Sequence, residues 1–316
     1  MSEKIKIICV VGPTASGKTG LGVKIAKLVG GEVISADSMQ IYKDMHIASA
    51  AADESEKEGI PHHLLEFVPY GTAFTVYDYL KCAREKIAET VSRGKVPVIV
   101  GGTGLYINSL VDNIELSEVG ADLMLRREIE KRYDAAGGER MLEELRKVDP
   151  DSAANLHAND RRRIVRALEI YESTGMTKSE QDIASRTSES PYDALIIGIN
   201  YSDRQKLYER IDRRVDIMAE NGLTEEAKAA YDRRNDISGG AVQAIGHKEF
   251  FPYFEGKISL FDVVETLKKQ TRHYAKRQLT WFRARNDVNW IYPDTEDITE
   301  KTRILLESRG YEIEGK

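Results

Sequence analysis

Gly12-Pro-Thr-Ala-Ser-Gly-Lys-Thr19 fits the phosphate-loop pattern G-x-x-x-x-G-K-[ST], and its flanks give the pattern physical meaning. Before it runs the apolar stretch Ile5-Lys-Ile-Ile-Cys-Val-Val11. After it comes Leu21-Gly-Val-Lys-Ile-Ala-Lys-Leu28, whose apolar residues recur at helical spacing. In such a strand-loop-helix, the backbone of Gly12, Pro13, Thr14, Ala15, Ser16 and Gly17 and the helix N-terminus converge on an anion. Lys18 adds a positive charge to the bound phosphates, and the Thr19 hydroxyl can ligand Mg²⁺. The spacing leaves open which phosphate compound is held.

Length and composition set the frame around this loop. The chain has 316 residues, 41% of them hydrophobic and 31% charged, which describes an ordinary globular protein with room for a second module. No stretch approaches the ~20 apolar residues of a bilayer span. The N-terminal apolar run contains Lys6 and enters the loop directly, so it reads as a core strand rather than a leader. Cys9 and Cys82 are too few for a disulfide framework and lack zinc spacing; they read as buried or half-buried residues of a reducing cytoplasm. The expectation is therefore a cytoplasmic monomer with no membrane association.

A net charge of −6 argues against a generic nucleic-acid binder, yet it hides local asymmetry. Residues 266–286 hold Lys268, Lys269, Arg272, Lys276, Arg277, Arg283 and Arg285 with no acidic residue, which reads as a phosphate-backbone surface. A second focus is Arg161, Arg162, Arg163 and Arg166.

Read in order, residues 31–36 form a short strand that runs into Asp37-Ser-Met-Gln-Ile-Tyr42. In a doubly wound sheet, residues just past a strand's carboxyl end face the ligand crevice, which would set Asp37 and Ser38 on the phosphate compound. Equally, Asp37 could cap the next turn. Residues 61–68 read as another strand entry; the adjacent His62 and His63 suit packing or a substrate edge better than one metal. Residues 75–93 have the pattern of an amphipathic helix that Thr75 could cap. Residues 95–100 form a buried-type strand delivering Gly101-Gly-Thr-Gly-Leu-Tyr106, where Thr103 can donate from a helix start. No dinucleotide fingerprint is present.

From 121 to 190 the chain turns to Arg- and Glu-rich helices (123–136, 141–148, 160–173), and strand signals resume at 193–200. The expected organisation is a parallel α/β core over 1–114, an all-helical insertion over 115–192, and core completion over 193–316. In the last part, 203–220 is a charged helix with Arg210, Arg213 and Arg214, 258–285 a long basic helix, and 288–292 a final strand followed by a helix through 306. A kinase would ordinarily place a second carboxylate after a hydrophobic strand to help hold Mg²⁺. After Val98-Ile-Val100 stand Gly101, Gly102 and Thr103, which weakens phosphoryl transfer unless Asp37 takes that part.

Several of these stretches together resemble the tRNA dimethylallyltransferases (tRNA isopentenyltransferases). They are Gly12 to Thr19, Asp37-Ser-Met-Gln-Ile-Tyr42, Pro61-His-His-Leu64, Gly101-Gly-Thr-Gly-Leu-Tyr106, Asn159-Asp160 with Arg163 and Arg166-Ala-Leu-Glu169, and Lys276-Arg-Gln-Leu-Thr-Trp-Phe282. The resemblance runs in order over nearly the whole chain and looks like the compact bacterial form, without a zinc module. It implies a P-loop kinase-like fold whose loop grips the diphosphate of dimethylallyl diphosphate. The prenyl group would go to N6 of adenosine 37, beside the tRNA anticodon. Asp37 would then be the general base, Thr103 a hydrogen-bond donor at the reacting centre, and Arg214 a diphosphate contact, unless Arg214 is a surface cation like its neighbours. The resemblance further implies tRNA contacts at Asp37, Ser38, Met39, Gln40, Thr103 and Arg126. It extends them to Arg162, Arg163, Ile164, Val165 and Arg166, and to Gln243, Ala244, Ile245, Gly246, His247 and Lys248. Gln243 stands where some relatives carry arginine. Rival readings are an adenylate isopentenyltransferase, a small-metabolite kinase, and an RNA-binding nucleotide switch.

Overall fold

β1 (Ile5–Val11) is buried from Ile7 onward and lies inside a six-stranded sheet of order β3-β2-β4-β1-β5-β6, with every pairing parallel. The other strands are β2 (Gly31–Ser35), β3 (His62–His63), β4 (Val96–Gly101), β5 (Tyr192–Ile199) and β6 (Val288–Ile291). Strands covered on both faces have no polar side to offer, which is why β1 from Ile7, β4, and β5 from Ala194 read as apolar runs. The coordinates, a computed structural model, describe residues 4–116, 122–186, 188–234, 241 and 244–313.

Chain contacts divide the protein into two compact units, residues Met1–Val111 with Pro191–Lys316, and Asp112–Ser190. The first carries the sheet with α1 (Lys18–Leu28), α2 (His46–Ser49), α3 (Glu54–Lys57), α4 (Val76–Ser92) and α5 (Gly104–Val111). The second is helical among its described residues: α6 (Leu123–Ala136), α7 (Gly138–Val148), α8 (Pro150–Ala154), α9 (Arg161–Thr174) and α10 (Lys178–Ala184). It has its own core around Ile129, Leu145, Ile164 and Leu168. The first unit resumes with α11 (Arg204–Glu220), α12 (Leu223–Asp232), α13 (Phe251–Phe254), α14 (Leu260–Arg283) and α15 (Ile298–Ser308).

Local chemistry explains most boundaries. Thr75 starts α4 by accepting from Asp78 N while the Asp78 carboxylate takes Thr75 N–H, a reciprocal cap, and Ser259 does the same for α14 with Asp262. β3 is shorter than residues 61–68 suggest. Leu64 (φ 60) and Glu66 (φ 47) adopt left-handed backbone and end the extended run, and only the bridge from Tyr42 to Val68 continues beside it. Among the described residues no helix is long and apolar enough to cross a membrane. Cys9 is fully buried, and burial pushes its thiol up to about 12, as befits an inert core residue.

The basic C-terminal run is less unopposed than its sequence suggests. Lys268 pairs with Asp216 (2.8 Å) and Glu265 (3.1 Å), Arg272 with Asp212 (2.5 Å), and Arg285 with Asp287 (2.6 Å). Lys269, Lys276, Arg277 and Arg283 remain exposed without an ion pair among the described residues.

Candidate active site

The phosphate loop leaves β1 at Gly12, whose backbone passes so close to the Ile199 carbonyl of β5 that a Cβ would collide with it. Gly17 precedes α1 in left-handed conformation (φ 99), and no side chain caps the helix. The first-turn N–H groups of α1 are therefore left for an anion. The loop is held from outside. Arg210 Nε donates to the carbonyl of left-handed Ala15 (2.9 Å), Arg214 Nη1 to Thr14 Oγ1 (3.3 Å), and Thr14 N–H to Gln278 Oε1 (2.8 Å). Lys18 folds back to donate to the Pro13 carbonyl (2.7 Å). Ser16 Oγ is buried with no partner. Burial pulls the Lys18 ammonium down to about 8 from 10.5; the Asp37 charge opposes this shift and Arg214 reinforces it. Burial likewise lowers Arg214, again opposed by Asp37.

Asp37 follows β2 by two residues and does what the turn reading expects: its Oδ1 accepts from Met39 N–H (2.9 Å). No donor engages Oδ2 among the described residues, so one oxygen builds the turn and the other is free. Thr103, just past β4, accepts from Ser38 N–H (2.9 Å) and donates to Ser38 Oγ (3.2 Å), while its own N–H reaches the Ala36 carbonyl (3.2 Å). The backbone at Gly101 sits directly on Ala36, leaving no room for a side chain. The turns after β2 and β4 are thus stitched together.

Two residues that sequence reasoning did not single out complete the arrangement. Gln278, buried on α14, accepts from Thr14 and donates through Nε2 to the Gly102 carbonyl (3.0 Å), tying the phosphate loop to the Gly101-Gly102 turn. Tyr274, one turn earlier, faces Thr103 and Gln278, and its hydroxyl is pushed well up by burial and then by the Asp37 charge. The available signal was a glutamine within the buried stripe Val263, Leu267, Ala275, Leu279 and Phe282.

Other predicted residues fall in several places. Met39 packs with Ile41, Tyr42 and Met45. Gln40 Nε2 donates to the carbonyls of Ser49 (3.4 Å) and Ala50 (3.1 Å) at the end of α2. Ala244 is buried, Gly246 abuts Ala48, and His247 is wholly buried between Glu226 (2.9 Å) and Tyr70 (3.4 Å). Ile245 is half-buried, packed beside Val215 and Phe250, and Lys248 is exposed. Gln243 lies outside the described residues. His63 takes a packing role, bonded to Glu32 (2.7 Å), which also receives Arg93. In the helical unit, Arg162 and Arg163 are exposed and free of ion pairs among the described residues, while Arg126 and Arg166 both rest on Glu169. Ile164 and Val165 are buried in that unit's core, so of the stretch 162–166 only the arginines can offer side chains to a partner.

Among the described residues no group of three or more His, Cys, Asp or Glu is placed to hold a metal ion. A cation bound at a phosphate loop does not need one, since a hydroxyl, the ligand's phosphates and water complete its shell.

The family model described as IPP transferase matches residues 40–285, a span that begins beyond the phosphate loop and Asp37. A tRNA dimethylallyltransferase of Caldanaerobacter subterraneus subsp. tengcongensis is 45% identical over 300 residues, covering 95% of each chain. The full-length tRNA isopentenylpyrophosphate transferase of Bacillus halodurans, solved by crystallography, superposes with a TM-score of 0.71 at 41% identity, covering 98% of this chain and 97% of that one. A eukaryotic dimethylallyltransferase captured in crystallographic snapshots acting on tRNA gives a TM-score of 0.80 at 31% identity, over 99% of this chain and 81% of that one.

Proposed function

The chain belongs to the IPP transferase family, and we propose that it transfers the dimethylallyl group of dimethylallyl diphosphate to N6 of adenosine 37 in tRNA, releasing diphosphate. The observation that carries this is the convergence of three strand-end turns. The phosphate loop, Asp37-Ser38 and Gly101 to Thr103 are tied together by Gln278 and Thr103, with Asp37 in electrostatic reach of Lys18.

The chemistry follows from what each group can do. An exocyclic adenine amine is a poor nucleophile because its lone pair is delocalised into the ring. As the N6–C1 bond forms and the C1–O bond to diphosphate breaks, the proton on N6 must leave, and the free Oδ2 of Asp37 is the acceptor we assign. The departing diphosphate gathers charge that the open N–H groups of the loop, Lys18 and Arg214 can balance. Thr103, already fixed against Ser38, holds the Asp37 turn in place. The target base is stacked in a loop and has to be extruded before its amine can reach the carbon.

The residues fit a divalent cation. Ser16 offers a buried hydroxyl without a partner, and Thr19 stands in the first turn of α1 as the pattern requires. Mg²⁺ held by Thr19 and the donor's own oxygens would shield charge on the leaving group.

The decisive experiment incubates the protein with labelled dimethylallyl diphosphate and either unmodified tRNA or AMP, followed by mass spectrometry. A five-carbon addition on one adenosine of tRNA is expected. Addition to AMP alone would make it an adenylate prenyltransferase, and phosphoryl transfer from ATP with RNA untouched would make it a kinase.

For RNA contact we assign the exposed cations Arg162 and Arg163, and Lys269, Lys276 and Arg283 along α14. Replacing Arg162 and Arg163 by glutamine should flatten the dependence of log Kd on log salt by about 0.7–0.9 for each phosphate these arginines neutralise. An unchanged slope would remove them from the interface.

A further inference from the structure

Glu169 is 1% exposed on α9 of the helical unit, and one of its oxygens gathers two cations from two helices. Arg126 of α6 donates to Oε2 through both Nε (3.0 Å) and Nη2 (2.8 Å), and Arg166 Nη1 lies 3.0 Å from the same oxygen. Oε1 is buried with no hydrogen-bond partner. Glu169 shares α9 with Ile164, Val165 and Leu168, which are buried in that unit's core. A hydrophobic residue would pack such a place without the desolvation cost of a carboxylate, so the cost asks for a reason other than stability.

The two guanidiniums are not consumed by the pairing. They remain 35% and 41% exposed, and the Nη1 group of Arg126 and the Nε and Nη2 groups of Arg166 have no partner among the described residues. A guanidinium is a rigid planar fork; fixing one edge on a carboxylate fixes where the other edge aims. We propose that Glu169 is a positioning residue, which locks Arg126 and Arg166 into a paired, preorganised contact for the phosphates and base edges of an RNA loop. This rests on the tRNA reading given above and adds to it the group that sets the geometry of two of its contacts.

The sign of one substitution tests it. Glu169→Gln removes a negative charge beside two arginines, so an electrostatic role alone predicts tighter RNA binding and a steeper salt dependence. Positioning predicts the reverse: affinity for an anticodon stem-loop RNA about tenfold weaker or worse. The KM for dimethylallyl diphosphate and the single-turnover rate at saturating RNA should hold. Unchanged or tighter binding, or a loss shared equally by the turnover rate, overturns the proposal. Because a glutamine facing two guanidiniums can disturb the fold, R126Q/R166Q and the triple variant with E169Q are measured beside it. Once the arginines are gone, Glu169→Gln should cost no further affinity, and a further loss overturns the role. If R126Q/R166Q leaves RNA affinity intact, these arginines do not touch tRNA and the proposal falls with that reading. If the pair weakens binding while Glu169→Gln does not, the arginine contacts stand and only the positioning role fails.

Discussion

Asp37→Ala is expected to lower the single-turnover prenyl-transfer rate by about 10²–10⁴, the usual loss of a general base, with tRNA affinity largely intact. The two oxygens of this carboxylate do different things, and that allows a control. Oδ1 accepts Met39 N–H and builds the turn, while Oδ2 is free. Asp37→Asn keeps an acceptor for Met39 but offers only weak basicity toward N6. If proton removal is the role, the alanine and asparagine variants lose rate alike. If the turn is what matters, asparagine is nearly normal and alanine alone is impaired, and Asp37 leaves the chemical step. Both variants also remove a charge that supports protonation of Lys18, so the comparison belongs well below pH 8.

What the sequence made legible was local, and what it hid was tertiary. The strand-loop-helix at Gly12 to Thr19, the reciprocal cap at Thr75 and the parallel strands of continuous apolar residues all follow from neighbours a few positions apart. Asp37 could be placed because a strand end dictates which residues face the crevice, but the division of labour between its oxygens needed the Met39 amide in space. Two cations of α14, Arg272 and Lys268, read as unopposed because their counter-charges, Asp212 and Asp216, stand on α11, 60 and 52 residues back along the chain. His247, which the resemblance implied as a tRNA contact, is buried on Glu226, a carboxylate that also accepts the N–H groups of Ile47 (2.8 Å) and Ala48 (2.9 Å). Gln278 went unassigned because its two partners, Thr14 and Gly102, lie 264 and 176 positions away. Its traces were a place in the stretch Lys276 to Phe282 and a glutamine in an apolar helix face, neither of which names a partner.

Lys18 sets the second large effect, and it is a pH effect. Burial brings its ammonium from 10.5 to about 8 in the free enzyme, and the protonated form is the one that binds diphosphate. Donor affinity should therefore be full below pH 8 and fall as pH rises through it, by up to about tenfold per unit, because the bound anion favours the proton that the free enzyme gives up. Lys18→Met should abolish the step and lower kcat/KM for the donor by about 10²–10³, the scale of one lost charge-stabilising donor. The neighbours identify the group that titrates. Asp37 holds the Lys18 value up, so Asp37→Asn should move the step to lower pH; Arg214 pushes it down, so Arg214→Gln should move it higher. A step belonging to the phosphates of the donor would stay in place in both variants. Opposite displacements in these two variants mark a titrating group that stands between the Asp37 carboxylate and the Arg214 guanidinium, and loss of the step in Lys18→Met identifies that group as the amine.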